Sequence, residues 1–326
     1  MRACILDSQA AIESRPLRLV DVPDPEPGPR EIRIRVTICA ICRTDLHVIE
    51  GDLAPERLPL IPGHQVVGRV DALGEGAERF KTGDRVGIAW LRETCGRCAY
   101  CASGRENLCT KSLYTGYHRD GGYAELATVP EDFAYPLPTG FDDAQVAPLL
   151  CAGIIGFRAL SRADVPPGGR LLLIGFGSSA HVVLQIAQHR GHEVYVSTRN
   201  EGHRDLARRM GAVWVGGSGV HPPTKMDSAI VFAPAGDVVP STLEAIGPGG
   251  TVALAGIHMS AIPSLDYERH LFHEKRLVSV EANTREDGRA LLREAAQIPI
   301  RPEVTRFALA DANDALIALK RDSIDG

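Results

Sequence analysis

The spacing of apolar residues changes near residue 153 and separates two kinds of predicted structure. Before this point, short apolar runs alternate with Pro and Gly, and the pattern predicts strands over EIRIRVTICAI (31–41) and QVVGRVDAL (65–73). Short strands with frequent breaks are typical of an irregular β-rich domain. We therefore expect the N-terminal part of the chain to form such a domain.

After residue 153, continuous apolar runs alternate with segments of helical spacing. The run RLLLIG (170–175) is followed by HVVLQIAQHR (181–190), which has the spacing of a helix. The same order repeats with VYVST before EGHRDLARRM and SAIVFA before VVPSTLEAI, and the runs TVALAGI and LVSVEA follow. Strand, helix and strand in this order predict an α/β fold with a parallel sheet and right-handed crossovers.

Composition and charge narrow the class of partner. The length of 326 residues favours about two domains, and 44% hydrophobic with 24% charged residues is typical of a globular protein. The formal net charge of −5 gives no general attraction to nucleic acid or to an anionic membrane. We therefore expect a small-molecule partner, and neither nucleic acid nor a membrane.

The N-terminal sequence bears on the cellular compartment. It lacks a basic stretch followed by an uninterrupted apolar segment, so it does not resemble a secretory leader. No run of about 18 apolar residues, which could span a bilayer, occurs in the chain. We therefore expect a cytoplasmic protein, in which thiols stay reduced and clustered cysteines more often bind metal than form disulfides.

Four of the eight cysteines lie close together, with two, two and seven residues between Cys95, Cys98, Cys101 and Cys109. Two-residue gaps allow consecutive thiolates to turn inward on one loop, and four thiolates complete a tetrahedral zinc shell. No position is then left for a substrate, so the spacing predicts a structural zinc site. An iron–sulfur cluster, disulfides or unrelated core cysteines are the alternatives. A ferredoxin-like cluster usually has proline after its last cysteine, whereas Thr110 follows Cys109.

A second group of polar residues lies upstream of this loop. The segment ICRTDLH contains Cys42, Thr44, Asp45 and His47, and the segment PGHQ contains His64. Cysteine and histidine this far apart in sequence are often ordinary core residues, so alone they do not distinguish a metal site from a packed core. The presence of the four-cysteine loop in the same chain favours the metal interpretation.

Taken together, these segments resemble the zinc-dependent medium-chain alcohol dehydrogenases over almost the whole chain. The matching motifs are CRTDLH at 42–47, PGH at 62–64, the four-cysteine loop, the lone Cys151 and the glycine-rich turn that begins at Gly175. Within that family, GIAW (87–90) and DGGYAE (120–125) are similar to the bacterial branch that is like cinnamyl alcohol dehydrogenases. The resemblance implies a β-rich GroES-like catalytic domain and a doubly wound Rossmann domain.

The resemblance also implies domain limits and assembly. The catalytic domain, with both zinc sites, would comprise residues 1–153 and 286–326, and the dinucleotide-binding domain would comprise residues 154–285. Members of the family commonly form homodimers or homotetramers, so an oligomer is expected here. Relatives usually continue past a motif like SIDG with a final strand of the catalytic domain, whereas this sequence stops at Gly326.

A catalytic zinc with three protein ligands is implied by the same resemblance. Cys42, His64 and Cys151 would bind it and leave a fourth position for the substrate oxygen. Zinc would act there as a Lewis acid on an alcohol or a carbonyl. Most relatives have glutamate after this histidine, but the chain has Gln65, which removes a negative charge from beside the metal.

Further residues near this site have implied roles. Thr44 would accept the hydroxyl proton, His47 would carry it toward solvent, and Asp45 would orient the imidazole of the zinc-binding histidine. Arg43 would bind the pyrophosphate of the cofactor. Arg285 would lie near the nicotinamide.

The glycine-rich turn GFGSSA (175–180) follows an apolar strand and precedes a helix, which is the context expected of a dinucleotide-binding turn. Gly175 allows the turn and Gly177 allows the backbone to approach the pyrophosphate closely. The phosphates would lie at the helix N-terminus, beside Ser178 and Ser179. We therefore expect a nicotinamide dinucleotide as the cofactor.

The end of the next strand favours NADP(H) over NAD(H). An NAD enzyme normally has Asp or Glu there, but this chain has Ser197, Thr198 and Arg199. A carboxylate about 4 Å from a 2′-phosphate would cost about 4 kcal/mol per unit charge at an effective dielectric constant of about 20. Its absence, together with the cation of Arg199, predicts a preference for NADP(H), although this arginine could instead be a solvated surface charge.

The predicted function is that of a zinc-dependent alcohol dehydrogenase or aldehyde reductase, which moves hydride between a primary aryl or aliphatic alcohol or aldehyde and NAD(P). Trp90 and Tyr114, with Tyr117 nearby, would form an aromatic wall of the substrate pocket, although they could be ordinary core residues. An NADPH-dependent reductase of activated double bonds is one alternative, which the glutamine at position 65 keeps open. A catalytically silent zinc or nucleotide-binding interaction protein is another.

Overall fold

The computed structural model describes residues 1–298 and 300–324. It divides the chain into two compact units. The first unit comprises Met1–Cys151, Asn283–Gln297 and residues 303–324, and the second comprises Ala152–Ala282, residue 298 and residues 300–302. The two predicted boundaries, after residues 153 and 285, lie a few positions away from these limits.

The segment around residue 300 differs from the sequence-based expectation, which placed it in the first unit. Ile298 and Ile300 are buried, and the N–H of Arg301 donates to Oε1 of Gln185 at 3.0 Å. Gln185 lies in the second unit, and residues 298 and 300–302 belong to the same unit. The sequence gives no sign of this pairing, because the two residues are 116 positions apart.

The first unit is built mainly from antiparallel strands. Its elements up to residue 151 are β1 (Arg2–Leu6), β2 (Leu17–Asp21), β3 (Glu31–Ala40), α1 (Arg43–Glu50), β4 (Gln65–Leu73), β5 (Arg85–Ile88), β6 (Leu91–Glu93), α2 (Ala99–Ala102), β7 (Leu113–Tyr114), β8 (Leu126–Pro130), β9 (Ala134–Pro136) and α3 (Asp143–Val146). Five strands pair in the order β8-β3-β4-β5-β9, and β1 with β2 and β6 with β7 form two-stranded sheets. Alternating residues such as Ile32 and Ile34 point into its core.

The second unit alternates helices with parallel strands. Its elements are α4 (Ala152–Ala163), β10 (Arg170–Ile174), α5 (Ser178–His189), β11 (Glu193–Ser197), α6 (Glu201–Arg209), β12 (Trp214–Gly216), β13 (Met226–Val231), α7 (Val238–Ala245), β14 (Ile246–Leu254), α8 (Tyr267–His270) and β15 (Arg276–Ser279). The six strands are parallel, in the order β12-β11-β10-β13-β14-β15. In such a sheet the strand order reverses beside β10, and ligands bind at the carboxyl ends of the strands at that point.

The chain then returns to the first unit through α9 (Arg285–Ala295) and α10 (Ala312–Lys320). Helix α10 packs near α1, where Nζ of Lys320 lies 2.8 Å from Oε1 of Glu50. The side chain of Asn313 exchanges two hydrogen bonds with the backbone of Leu17. Residues from both ends of the sequence therefore complete the first unit.

Within the described residues, no single helix is both long and apolar enough to cross a membrane. The consecutive helices Asp143–Leu150 and Ala152–Ala163 reach the length and apolar composition of a membrane span only when the two are taken together. Most of the second helix of this pair is buried in the protein, which is usual for a core helix.

Candidate active site and cofactor site

The first turn of α1 positions several of the predicted site residues. Cys42 is the N-cap of this helix, and its N–H donates to Oδ2 of Asp45 at 2.8 Å. This carboxylate therefore satisfies one of the free N–H groups at the helix N-terminus. The Cys42 side chain, the hydroxyl of Thr44 and the Asp45 carboxylate are consequently held on the same turn.

The structure brings Cys42, His64 and Cys151 together. Their ligand atoms all lie within 4.8 Å of one another, and the Cys42 Sγ to His64 Nε2 distance is 3.4 Å. His64 follows Gly63, whose φ of +95° and close neighbour Tyr123 exclude a side chain, because an added Cβ would lie 2.4 Å from the Tyr123 ring. Two sulfurs and one imidazole nitrogen are a donor set that suits zinc with one position left open.

A buried carboxylate orients the histidine of this group. Oδ1 of Asp45 lies 3.1 Å from Nδ1 of His64, and the two side chains are 2% and 1% exposed. Burial lowers the pKa of His64, but the carboxylate of Asp45 and the sulfur of Cys42 outweigh it and raise the pKa to about 10. A metal cation bound at Nε2 of His64 would replace the proton of this nitrogen and would be stabilised by the same negative groups, Asp45 and Cys42.

The neighbouring residue Gln65 is also buried, and its side-chain nitrogen has no hydrogen-bond partner among the described residues. A buried amide without a partner is costly in a folded protein.

Aromatic rings adjoin the cluster. The ring of Trp90 meets that of His64 edge to face, with centroids 4.9 Å apart, and stacks on Tyr114 at 5.0 Å and on Tyr117 at 5.7 Å. The predicted wall of Trp90 and Tyr114 therefore lies directly beside a candidate metal ligand. Such a surface is suited to an apolar or aromatic group.

Two side chains of α1 lie along a possible proton path. Thr44 lies on the first turn of α1, two residues after Cys42, and His47 lies one turn further along the same helix face. Nδ1 of His47 is 2.7 Å from Oδ2 of Asp52, whose side chain is 62% exposed. If Nδ1 donates to Asp52, Nε2 of His47 is left as the acceptor. Asp52 was not predicted as a site residue.

The four-cysteine loop connects β6 to β7. The sulfurs of Cys95, Cys98, Cys101 and Cys109 all lie within 4.8 Å of one another. Backbone N–H groups point at them, including that of Lys111, which donates to Cys109 at 3.4 Å. Hydrogen bonds from two backbone N–H groups lower the pKa of Cys95 to about 6, so this thiol ionises readily. Four sulfurs in this arrangement are suited to a closed tetrahedral shell.

The glycine-rich turn lies at the carboxyl end of β10, as predicted for a dinucleotide site. Gly175 has a φ of +88°, and its N–H donates to the carbonyl of Ser197 at the end of β11. Gly177 is the N-cap of α5, and an added Cβ there would meet nothing within 4 Å, so the backbone is open to an approaching group. Among the described residues no side chain caps this helix, so the N–H groups of Ser178 and Ser179 are available to phosphate oxygens.

The end of β11 has the composition expected of a site without a ribose-binding carboxylate. Ser197 donates to the carbonyl of Gly217, whereas Arg199 is exposed. Nη1 of Arg204 donates to the carbonyls of Thr198 and Arg199. This second guanidinium was missed at the level of sequence, although it lies five residues after Arg199 on a predicted helix.

The two arginines of the first unit that were predicted to contact the cofactor have carboxylate partners there. Arg43 pairs with Asp322. Arg285 donates from its N–H, Nε and Nη2 to both oxygens of Glu106 at 2.7–3.1 Å. Neither carboxylate was predicted. Glu106 could have been suspected from its place between the third and fourth cysteines, but its partner is 179 positions away in sequence.

Comparisons with known proteins agree with this geometry. Residues 28–139 match the family described as "Alcohol dehydrogenase GroES-like domain", and residues 180–297 match the family described as "Zinc-binding dehydrogenase". The chain is 50% identical over 321 residues to a probable alcohol dehydrogenase AdhA of Mycobacterium tuberculosis (strain CDC 1551 / Oshkosh), with 97% of this chain and 92% of that protein covered.

Solved structures show the same similarity. A cinnamyl alcohol dehydrogenase from Sorghum bicolor superposes with a TM-score of 0.88 at 26% identity, over 99% of this chain and 95% of the other. A cobalt- and zinc-bound thermostable alcohol dehydrogenase from Pyrobaculum aerophilum gives 0.89 at 26% identity, over 100% and 98%. The predicted family, fold class and enzyme class are confirmed: the chain belongs to the zinc-dependent medium-chain alcohol dehydrogenase family and is an NAD(P)-dependent alcohol dehydrogenase.

Proposed function

We propose that the enzyme oxidises primary aryl or aliphatic alcohols, and reduces the corresponding aldehydes, with NADP(H) and two zinc ions per chain. Cys42, His64 and Cys151 bind the catalytic zinc. The convergence of their three ligand atoms within 4.8 Å, beside the ring of Trp90, is the observation that carries this proposal. The four cysteines of the loop bind the structural zinc.

The protein's own residues orient the substrate and move its proton. When bound, zinc supplies a Lewis acid and the dinucleotide supplies or accepts the hydride. Thr44, fixed on the first turn of α1, accepts the proton of the substrate hydroxyl. His47 then takes that proton at Nε2, and Asp52 stabilises the resulting imidazolium through Nδ1. Asp45 keeps the His64 ring in place throughout.

The preference for NADP(H) is supported by the residues at the end of β11. Thr198 stands where a carboxylate would repel a 2′-phosphate, and Arg199 is exposed next to it. Arg204 anchors this segment through two backbone carbonyls. A phosphate here would meet hydrogen-bond donors and positive charge, which favours NADP(H).

Steady-state kinetics and zinc analysis of the purified protein test the proposal. We expect two zinc ions per chain and a kcat/KM at least about tenfold higher with NADP⁺ than with NAD⁺, which corresponds to about 1.4 kcal/mol. Arg199→Gln should remove most of that preference, while Arg208→Gln, an exposed arginine paired with Asp205, should not change it. A preference for NAD⁺ would overturn the cofactor assignment, and alcohol turnover with one zinc would overturn the metal assignment.

Two further expectations belong to this proposal. We expect the protein to be cytoplasmic and to assemble as two or four chains. The expected assembly is consistent with the position of β15 at the end of the six-stranded sheet. Nearby, Tyr267 and Phe272 are large side chains with exposures of 67% and 56%. Exposed apolar groups beside a sheet edge are typical of an interface between chains.

A further inference from the structure

The aromatic rings beside His64 belong to a short turn of the first unit that His118 closes. Trp90 stacks on Tyr114 at 5.0 Å and on Tyr117 at 5.7 Å between ring centroids. The backbone N–H of Tyr114 donates to Nδ1 of His118 at 3.1 Å, and the carbonyl of Tyr114 accepts the backbone N–H of His118 at 3.0 Å. Both polar groups of the Tyr114 backbone are therefore held by one residue.

The ring of His118 also packs against both tyrosines. Its centroid lies 5.4 Å from that of Tyr114, and it meets the ring of Tyr117 edge to face at 4.4 Å. The hydroxyl of Tyr117 in turn donates to the carbonyl of Ala54 at 2.8 Å. Only 12% of the His118 side chain is exposed. His118 therefore contacts both rings that stack on Trp90.

The hydrogen bond from Tyr114 determines where the ring proton of His118 lies. A backbone N–H can only donate, so Nδ1 is the acceptor and Nε2 carries the proton. Nε2 lies 3.8 Å from Oε1 of the exposed Glu56. Burial, with a smaller contribution from the Arg119 cation, lowers the pKa of His118 and outweighs the opposing effect of the Glu56 carboxylate. The ring is therefore neutral at pH 7 and keeps its acceptor nitrogen.

We propose that His118 is a positioning residue that fixes Tyr114 and Tyr117 against Trp90 and thereby raises the affinity for alcohols and aldehydes that carry an aryl group. This inference rests on the proposed function, in which an alcohol binds beside the ring of Trp90. An aryl group gains most from a wall that is already ordered, because ordering side chains on binding reduces affinity. His118 acts through these rings and not on the reacting atoms.

Asn and Leu substitutions at position 118 separate the acceptor of the side chain from its shape. The two side chains branch in the same way and have similar volumes, but only Asn places an acceptor oxygen near the position of Nδ1. A role in packing alone predicts equal effects of the two substitutions. A role of the acceptor in positioning Tyr114 predicts different effects.

Steady-state kinetics with benzyl alcohol and ethanol measure this difference. For His118→Leu we expect KM for benzyl alcohol to rise roughly threefold to tenfold, with kcat within about twofold, because the tyrosines must then be ordered on binding. For His118→Asn the rise should stay below about twofold. KM for ethanol, which has no ring to stack, should change by less than about twofold in either variant.

Tryptophan fluorescence provides a second readout that needs no turnover. The chain has two tryptophans, at positions 90 and 214, so in a Trp214→Phe background the emission reports on Trp90 alone. Quenching by acrylamide should increase in His118→Leu, because the rings that stack on Trp90 are less ordered, and should stay unchanged in His118→Asn. Zinc content and the thermal midpoint identify any general loss of structure.

Equal changes in the two variants, in KM for benzyl alcohol or in acrylamide quenching, would overturn the inference. A parallel rise in KM for ethanol would overturn it as well. If His118→Leu does not accumulate, His118→Gln, whose amide lies one methylene further from the backbone, is compared with His118→Asn in the same way. Failure of the proposed function is distinguishable, because the unaltered enzyme would then oxidise neither alcohol. The acrylamide comparison alone would in that case decide whether His118 orders the rings.

Discussion

The two cysteine-containing clusters of the first unit differ in almost every property that decides what a metal site can do. The loop cluster has four sulfurs from one short segment, and two of its cysteines flank the exposed Gly96 and Arg97. The other cluster combines residues 42, 64 and 151, and its histidine is 1% exposed. A complete, local set of ligands suits structural stability. An incomplete set in a buried environment, assembled from distant segments, suits reaction with a substrate.

The sharpest test of this contrast is to remove one cysteine from each cluster. Cys42→Ser should lower kcat/KM for alcohol oxidation by about a thousandfold or more, because several kcal/mol of transition-state stabilisation is lost, while the thermal midpoint changes little. Cys101→Ser should mainly prevent folding, since a structural zinc contributes about 10 kcal/mol, comparable to the stability of a whole domain. Activity, zinc content and the thermal midpoint of both variants are measured together. Substantial alcohol turnover by Cys42→Ser would contradict the division of roles.

Glycines next to the two clusters provide a second comparison. Gly63 and Gly104 both have positive φ, of 95° and 70°. A Cβ on Gly63 would lie 2.4 Å from the ring of Tyr123, whereas a Cβ on Gly104 would meet nothing within 4 Å. Gly63→Ala should therefore cost about 2–4 kcal/mol and displace the adjacent His64, whereas Gly104→Ala should cost about 1 kcal/mol.

Denaturant unfolding and alcohol kinetics separate the two glycine variants. Only Gly63→Ala should lose activity in the fraction that remains folded, because only it displaces His64, a proposed ligand of the catalytic zinc. Equal losses of stability in the two variants would show that close packing is not what requires glycine at position 63.

The smallest expected effect concerns Asp52, which contacts His47 near the cluster of Cys42, His64 and Cys151. Asp52→Asn keeps the shape of the side chain but cannot stabilise a charged His47, so alcohol oxidation near neutral pH should fall roughly threefold to tenfold. The loss should appear in kcat/KM at pH 7, while zinc content should not change. Asp7→Asn, at an exposed aspartate paired with Arg18, is the control. A kcat/KM equal to that of the unaltered enzyme would exclude Asp52 from the proton path.

Local patterns in the sequence accounted for much of the fold. The run RLLLI, the turn GFGSSA and the helix after it form one supersecondary unit, so their composition alone predicts β10, the glycine-rich turn and α5. The four-cysteine loop could be predicted for the same reason, because the short gaps between its cysteines favour four thiolates that bind one metal ion. The strand β12, with only three residues, was too short to predict.

Contacts between distant residues could not be predicted from the sequence. The convergence of Cys42, His64 and Cys151 was inferred from a family resemblance, since no local pattern relates residues so far apart. Asp52 is one of many exposed acidic residues, and only its 2.7 Å distance to His47 distinguishes it. Such pairings depend on how segments cross in space, which neither periodicity nor composition determines.

The return of α9 and α10 to the first unit has a consequence for synthesis on the ribosome. Helix α10 contacts Leu17 and Glu50, so β2 and α1 lack part of their packing until residues 312–320 have been translated. The second unit lacks only a few late residues once residue 282 has emerged. The second unit can therefore form a nearly complete core before the first unit does, although most of the first unit is translated earlier.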